Sequence, residues 1–94
     1  MIRFAVDSID AAREGPIVAG RIAEGTVRLG STFTEVIGRD QFRRTFRLTV
    51  KQIFSYRRLW DELEEGMSAE LLLVGDGMEE LKKALLWATI TGPD

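Results

Sequence analysis

Three glycines five residues apart, Gly20, Gly25 and Gly30, punctuate the run VAGRIAEGTVRLG at residues 18–30. Glycine at such intervals can cradle a phosphate, because backbone without side chains lets its N–H groups converge on an anion. That chemistry also needs a lysine and a hydroxyl directly after the second glycine, in the order GxxxxGK[ST]. Gly20 and Gly25 keep the interval, but Thr26 and Val27 follow them, so the lysine is missing. The GxGxxG dinucleotide signature is absent too. No nucleotide is expected to bind here.

Composition removes further chemistry. The chain has no histidine and no cysteine, which excludes a histidine-activated nucleophile, a thiolate metal site and any disulfide framework. A metal would have to rest on carboxylates alone. Asp61, Glu62, Glu64 and Glu65 lack the alternate-position spacing of a calcium loop, and they describe a solvated acidic face. Nothing in the order of the chain singles out a carboxylate pair for acid–base work. The expectation is a protein that is no enzyme, with no cofactor and no metal.

A basic strand is the one functional pattern that periodicity supplies. In FRRTFRLTVKQIF (42–54), Phe42, Phe46, Leu48 and Val50 hold one phase while Arg43, Arg47 and Lys51 hold the other. A row of cations on one strand face could meet RNA phosphates, with Arg44 and the end of Tyr56 nearby to help and to stack on a base. The same pattern describes a solvent-facing β-surface neutralised by the acids at 61–65. The whole chain carries a net charge of −2, but unevenly: residues 39–58 hold seven basic side chains against Asp40 alone, and residues 59–94 hold nine acids against Lys82 and Lys83.

The elements that must position these groups are short and β-rich. IRFAV (2–6) alternates as a strand, followed by a loop through DSIDAAREGP. Val18, Ile22, Val27 and Leu29 suit β-structure, AEG fits a hairpin turn with Gly25 at positive φ, and Gly30 opens the next turn. Gly20 lies inside its strand, where a missing side chain marks a bulge, a bend or the close approach of another backbone. STFTEVIG gives a strand with Phe33 in the core. In the basic strand the phase slips after Val50, since Ile53 is apolar where an even position was due, which places a bulge near Lys51–Gln52. SYRRLWDELEEG reads as a loop or single turn before the strand SAELLLVG (68–75). Residues 79–83 read as a helical turn or loop, and 85–91 as a closing strand. Strands at this spacing point to a small barrel or sandwich.

With 94 residues the chain is expected to be one domain, 1–94, with an ordinary globular balance of 45% hydrophobic and 30% charged residues. MIRFAVDSID has an acid by position 7 and no apolar run long enough for a signal peptide or spanning helix. A cytoplasmic protein without membrane contact is expected.

The run GPIVAGRIAEGTVRLG (15–30) resembles the start of the second domain of translational GTPases, the barrel that follows the G domain in elongation factor Tu. Val18, Gly20, Arg21, Ile22, Gly25, Val27 and Gly30 meet that pattern. VKQIFSY, DELEEG and AELLLVG resemble the family's later segments in the same order, so the resemblance spans nearly all of residues 2–90. It implies an all-β fold, a small closed six-stranded antiparallel Greek-key β-barrel, standing without the G domain and hence without GTPase activity. In elongation factor Tu this barrel helps hold the aminoacylated end of transfer RNA; in related factors it touches ribosomal RNA or an initiator amino acid.

The resemblance also implies an inherited pocket at Asp7, Ile9 and Ser68. Asp7 keeps an acidic position, while Ile9 and Ser68 stand where the family has an aromatic residue and an asparagine. Val74 and the pair Lys83–Ala84 likewise replace an arginine and an Arg-Gly. The leading expectation is therefore a binding module for transfer RNA, ribosomal RNA or a translation protein, with Arg43, Arg47 and Lys51 on phosphates and Arg21 near the pocket. The alternatives are a protein-interaction module using 61–65 with Leu59 and Trp60, or the surface near Trp87, and a small-ligand barrel with a cavity near Asp7 and Ser68.

Overall fold

The structure is a computed structural model that describes residues 1–11, 13–38, 41, 43–76 and 88–93. Among them the regular structure is all β: β1 (Ile2–Ala11), β2 (Pro16–Glu24), β3 (Val27–Arg28), β4 (Thr32–Ile37), β5 (Arg43–Ser55), β6 (Arg58–Trp60), β7 (Glu62–Leu63), β8 (Ser68–Asp76) and β9 (Thr89–Gly92). Six of these strands run β4-β9-β1-β2-β8-β5, and β4 pairs again with β5, which closes the sheet into a barrel. All its pairings are antiparallel. Strands β4, β5 and β8 lie side by side and β9 returns to lie beside β4, the Greek-key arrangement. The expected closed barrel is thus the fold. Beyond it, β6 extends from β5, and β3 and β7 pair as a separate ribbon.

Closure follows from alternation. Inward positions of the long strands are apolar, and Phe4, Ile22, Phe33, Leu48, Ile53 and Leu71 are fully buried. Burying one face of every strand fixes register, since a slip of one residue would turn the apolar set to water. On β5, Phe46, Leu48 and Val50 point inward, Lys51 and Gln52 both face solvent, and Ile53 and Ser55 point inward again. The register with β8 shifts between Val50 and Gln52, so the bulge inferred from the phase slip is present.

The first strand runs further than expected. Asp7–Ala11 lies in β1 and not in a loop. Val6 faces Gly20 and Ser8 faces Ala19, leaving Asp7 as the extra residue of a bulge. Beyond it the phase is inverted, so Ile9 lies opposite Val18 and packs against the core. The hairpin expected at AEG also differs. Gly25 has its positive φ of 79°, but the turn carries the chain away from β2, and β3 pairs with β7. Gly20 lies where two backbones nearly touch: a Cβ there would stand 1.9 Å from the carbonyl oxygen of Ala5.

Residues 55–66 hold more than a loop. Tyr56 and Arg57 form a two-residue turn between β5 and β6, which pair through Ser55 and Arg58, Phe54 and Leu59, Ile53 and Trp60. The expected helical turn at 79–83, the strand start at 85–87, Trp87, the pair Lys83–Ala84, and Phe42 lie outside the described residues. Among the described residues no helix is long and apolar enough to cross a membrane.

Candidate functional site

The β1 bulge, the Gly20 crossing and the β5–β6 turn meet on one side of the barrel. Pairing of β2 with β8 places Ala19 opposite Glu70, Gly20 opposite Ala69 and Arg21 opposite Ser68. Pairing of β5 with β8 then places Phe54 opposite Glu70. Between these rows lies an open groove of about 530 Å³, lined by Asp7, Ala19, Gly20, Phe54, Ser55, Tyr56, Ser68, Ala69 and Glu70. Small residues make its floor. The bulge sets Asp7 at one wall, and the turn sets Tyr56 at the other.

Hydrogen bonds fix the aromatic wall. Ser55, buried at the end of β5, donates its hydroxyl to the Ser68 carbonyl at 2.6 Å. The indole N–H of Trp60 donates to the Ser55 carbonyl at 2.8 Å. The Arg58 guanidinium lies 3.9 Å from the centre of the Trp60 ring, a cation–π contact that holds this arginine against β6. Tyr56 is left 71% exposed and Phe54 42% exposed, with faces available to a planar ligand.

The groove's electrostatics are those of an acceptor. Asp7 and Glu70 bring two carboxylates, Ser68 a hydroxyl, and among the described residues no lysine or arginine lines it. Donors such as sugar hydroxyls or amino groups suit these walls, while a phosphate on the floor would be repelled. Arg21 stands beside the groove, exposed and directly across from Ser68.

Of the residues singled out by sequence, Asp7 and Ser68 come together in the groove and Arg21 flanks it. Ile9 is turned to the core and does not line it. The basic row lies apart: Arg43 begins β5, at the end opposite Tyr56. Arg43 pairs with Glu35 at 3.5 Å and Lys51 with Glu14, and Arg47 faces Asp76 across β5–β8. The acids at 61–65 do not neutralise this row, because β7 is tied to β3, where Glu62 meets Arg28 at 3.1 Å. Sequence reasoning missed Phe54 and Glu70 as groove residues. The signal available was their outward phase on flanking strands, but only the pairing of β5 with β8 makes them neighbours.

No family model matches the chain. Among solved structures, it is similar to translation elongation factor SelB from Methanococcus maripaludis in its apo form, with a TM-score of 0.78 at 17% identity. The match covers 99% of this chain and 19% of that chain. The likeness shows a translation-factor domain 2 fold, similar to that of elongation factor Tu.

Proposed function

We propose that this chain is a non-catalytic binding module of the translation-factor type, and that its groove holds the end of an RNA strand in a cytoplasmic translation complex. The observation that carries this reading is the convergence of Asp7, Glu70 and Ser68 with Tyr56 and Phe54 in one groove. A terminal ribose offers two vicinal hydroxyls, which can donate to the carboxylates of Asp7 and Glu70. The attached base finds aromatic faces in Tyr56 and Phe54, a contact worth about 1–3 kcal/mol per base. Phosphates stay at the rim, near Arg21. Transfer RNA, which presents a free single-stranded end, fits this geometry better than an internal stretch of ribosomal RNA.

The test is fluorescence anisotropy with a short single-stranded RNA carrying a free 3′ diol, against the same RNA ending in a 3′ phosphate. Losing a hydrogen bond to a charged group costs about 1.5–3 kcal/mol, so the diol form should bind at least about tenfold tighter. Equal binding of the two, or tighter binding of the phosphate, refutes the groove as an end-binding site.

A second reading, a protein-interaction module, draws on the outer face next to the groove. Ile17, Leu72, Phe54 and Leu59, with Gln52 and Glu70, surround a hollow of about 190 Å³, and Leu59 is 63% exposed. Salt separates the readings: RNA capture weakens as salt rises, and an apolar protein contact persists.

A further inference from the structure

Outward positions of an antiparallel barrel are ordinarily polar, because they meet water. On one stretch of this barrel they are not. Leu72 stands in the outward phase of Ser68 and Glu70 on β8, and Ile17 in the outward phase of Ala19 and Arg21 on β2. Their register sets the two directly opposite each other. Phe54 and Leu59 are likewise paired across β5 and β6. With Gln52 and Glu70, these four apolar side chains wall the hollow of about 190 Å³. The core beneath is already closed by Val18, Ile53, Leu71 and Leu73, while Leu59 stays 63% exposed and adds little to it.

Size and charge decide what the hollow takes. Small-molecule sites run to about 300–1,000 Å³, so this one suits a single large side chain. A stable dimer buries about 1,200–2,000 Å² in total, well beyond what one such hollow supplies, which favours a short segment of a partner protein over a second copy of the chain. The rim is acidic. Glu70 lines the hollow and Asp10 lies opposite Ile17 on β1, and among the described residues no basic side chain pairs with either. The nearby Lys51 is engaged by Glu14. Arg58 projects from the other face of β6, over Trp60.

We propose that the hollow docks a short segment of a partner protein in which one large apolar side chain is flanked by lysine or arginine. The apolar side chain fills the space among Ile17, Phe54, Leu59 and Leu72. The flanking cations meet Glu70 and Asp10, which favours basic segments and rejects acidic ones. The inference rests on the protein-interaction reading of this face. It does not require RNA in the groove, because Leu59 and Asp10 lie outside the groove's walls.

The test is an NMR titration of the labelled protein with the peptide acetyl-Gly-Lys-Phe-Lys-Gly-amide, beside analogues with alanine for phenylalanine or glutamate for both lysines. Saturable shifts at Ile17, Leu59 and Leu72 are expected at millimolar peptide. Affinity should fall at least about tenfold for the alanine analogue and about threefold for the glutamate analogue. Leu59→Gln, at an exposed position, should melt with the parent, lose at least about fivefold in peptide affinity and hold its affinity for a short single-stranded RNA within about twofold. Asp10→Lys should reverse the preference between the lysine and glutamate peptides. No shift at the hollow, or equal affinity for the phenylalanine and alanine peptides or for the lysine and glutamate peptides, overturns the proposal. So does a loss of RNA binding in Leu59→Gln, which makes the hollow part of the RNA site, or a concentration-dependent dimer that Leu59→Gln abolishes, which makes a second copy the occupant. A parent that binds no RNA but gives the expected peptide results overturns the RNA-end reading alone.

Discussion

Replacing Gly20 by alanine tests the geometry on which the groove depends. The added Cβ would lie 1.9 Å from the Ala5 carbonyl oxygen, 2.9 Å from its carbon and 3.1 Å from Phe4 Cε1. Real Cβ contacts essentially never fall below 3.0 Å, so β1 and β2 must part by at least 3.0 − 1.9 = 1.1 Å. The obstacle is backbone held between β9 and β2, which cannot swing aside as a side-chain end could. Overpacking costs about 1–3 kcal/mol, and loosening one or two ladder hydrogen bonds adds about 1 kcal/mol each, giving roughly 3 kcal/mol. Unfolding entropy near 2.1 cal/mol/K per residue gives about 0.2 kcal/mol/K for 94 residues, so the melting temperature should drop by about 15 °C. Gly30→Ala is the control, since nothing lies within 4 Å of its Cβ and only its φ of +89° resists. That strain of about 1 kcal/mol should lower melting by about 5 °C. Calorimetry or circular dichroism melts measure both. A Gly20→Ala protein that melts within about 3 °C of the parent, or above Gly30→Ala, refutes the close crossing.

Further expectations concern the hairpin, the basic row and salt. Trp60→Phe removes the indole donor to the Ser55 carbonyl and weakens the Arg58 contact, and urea unfolding should show a loss of about 1–2 kcal/mol. Arg43→Glu/Arg47→Glu alters the far end of β5, so affinity for the free 3′ end should stay within about twofold in anisotropy titrations, less than 0.5 kcal/mol; a loss of tenfold or more would move the site to the basic row. The partly exposed Arg43–Glu35 pair should contribute about 0–1 kcal/mol in a double-mutant cycle. With Arg21 as the phosphate contact at the groove's rim, the log of the RNA affinity should fall with the log of salt at a slope of about −0.7. A slope near zero would favour the protein-interaction reading.

The barrel was legible where alternation was unbroken. The phase of Phe46, Leu48 and Val50, and its slip at Lys51, could be read because a pleated strand has a period of two. The same device at Asp7 was hidden, since the bulge falls where polar residues follow and the inverted phase rests on Ile9 alone. Strands of three and two residues, β6 and β7, are too short to carry a period. Asp7 and Ser68 were recognised through family resemblance, but they share a groove because β2 lies between β1 and β8. The ion pairs of the basic row depend on pairing as well. Glu35 reaches Arg43 from β4, the strand just before it, and the register of that pair, shifted between Phe33 and Glu35, decides which side chains meet.

The most direct test of the account is an NMR titration of the labelled protein with a short single-stranded RNA bearing a free 3′ end. The account predicts shift changes centred on Asp7, Ser68, Glu70 and Tyr56, with Arg21 at their margin and little change from Arg43 to Arg47. Changes confined to the Arg43–Arg47 row, or none at saturating RNA, would contradict it.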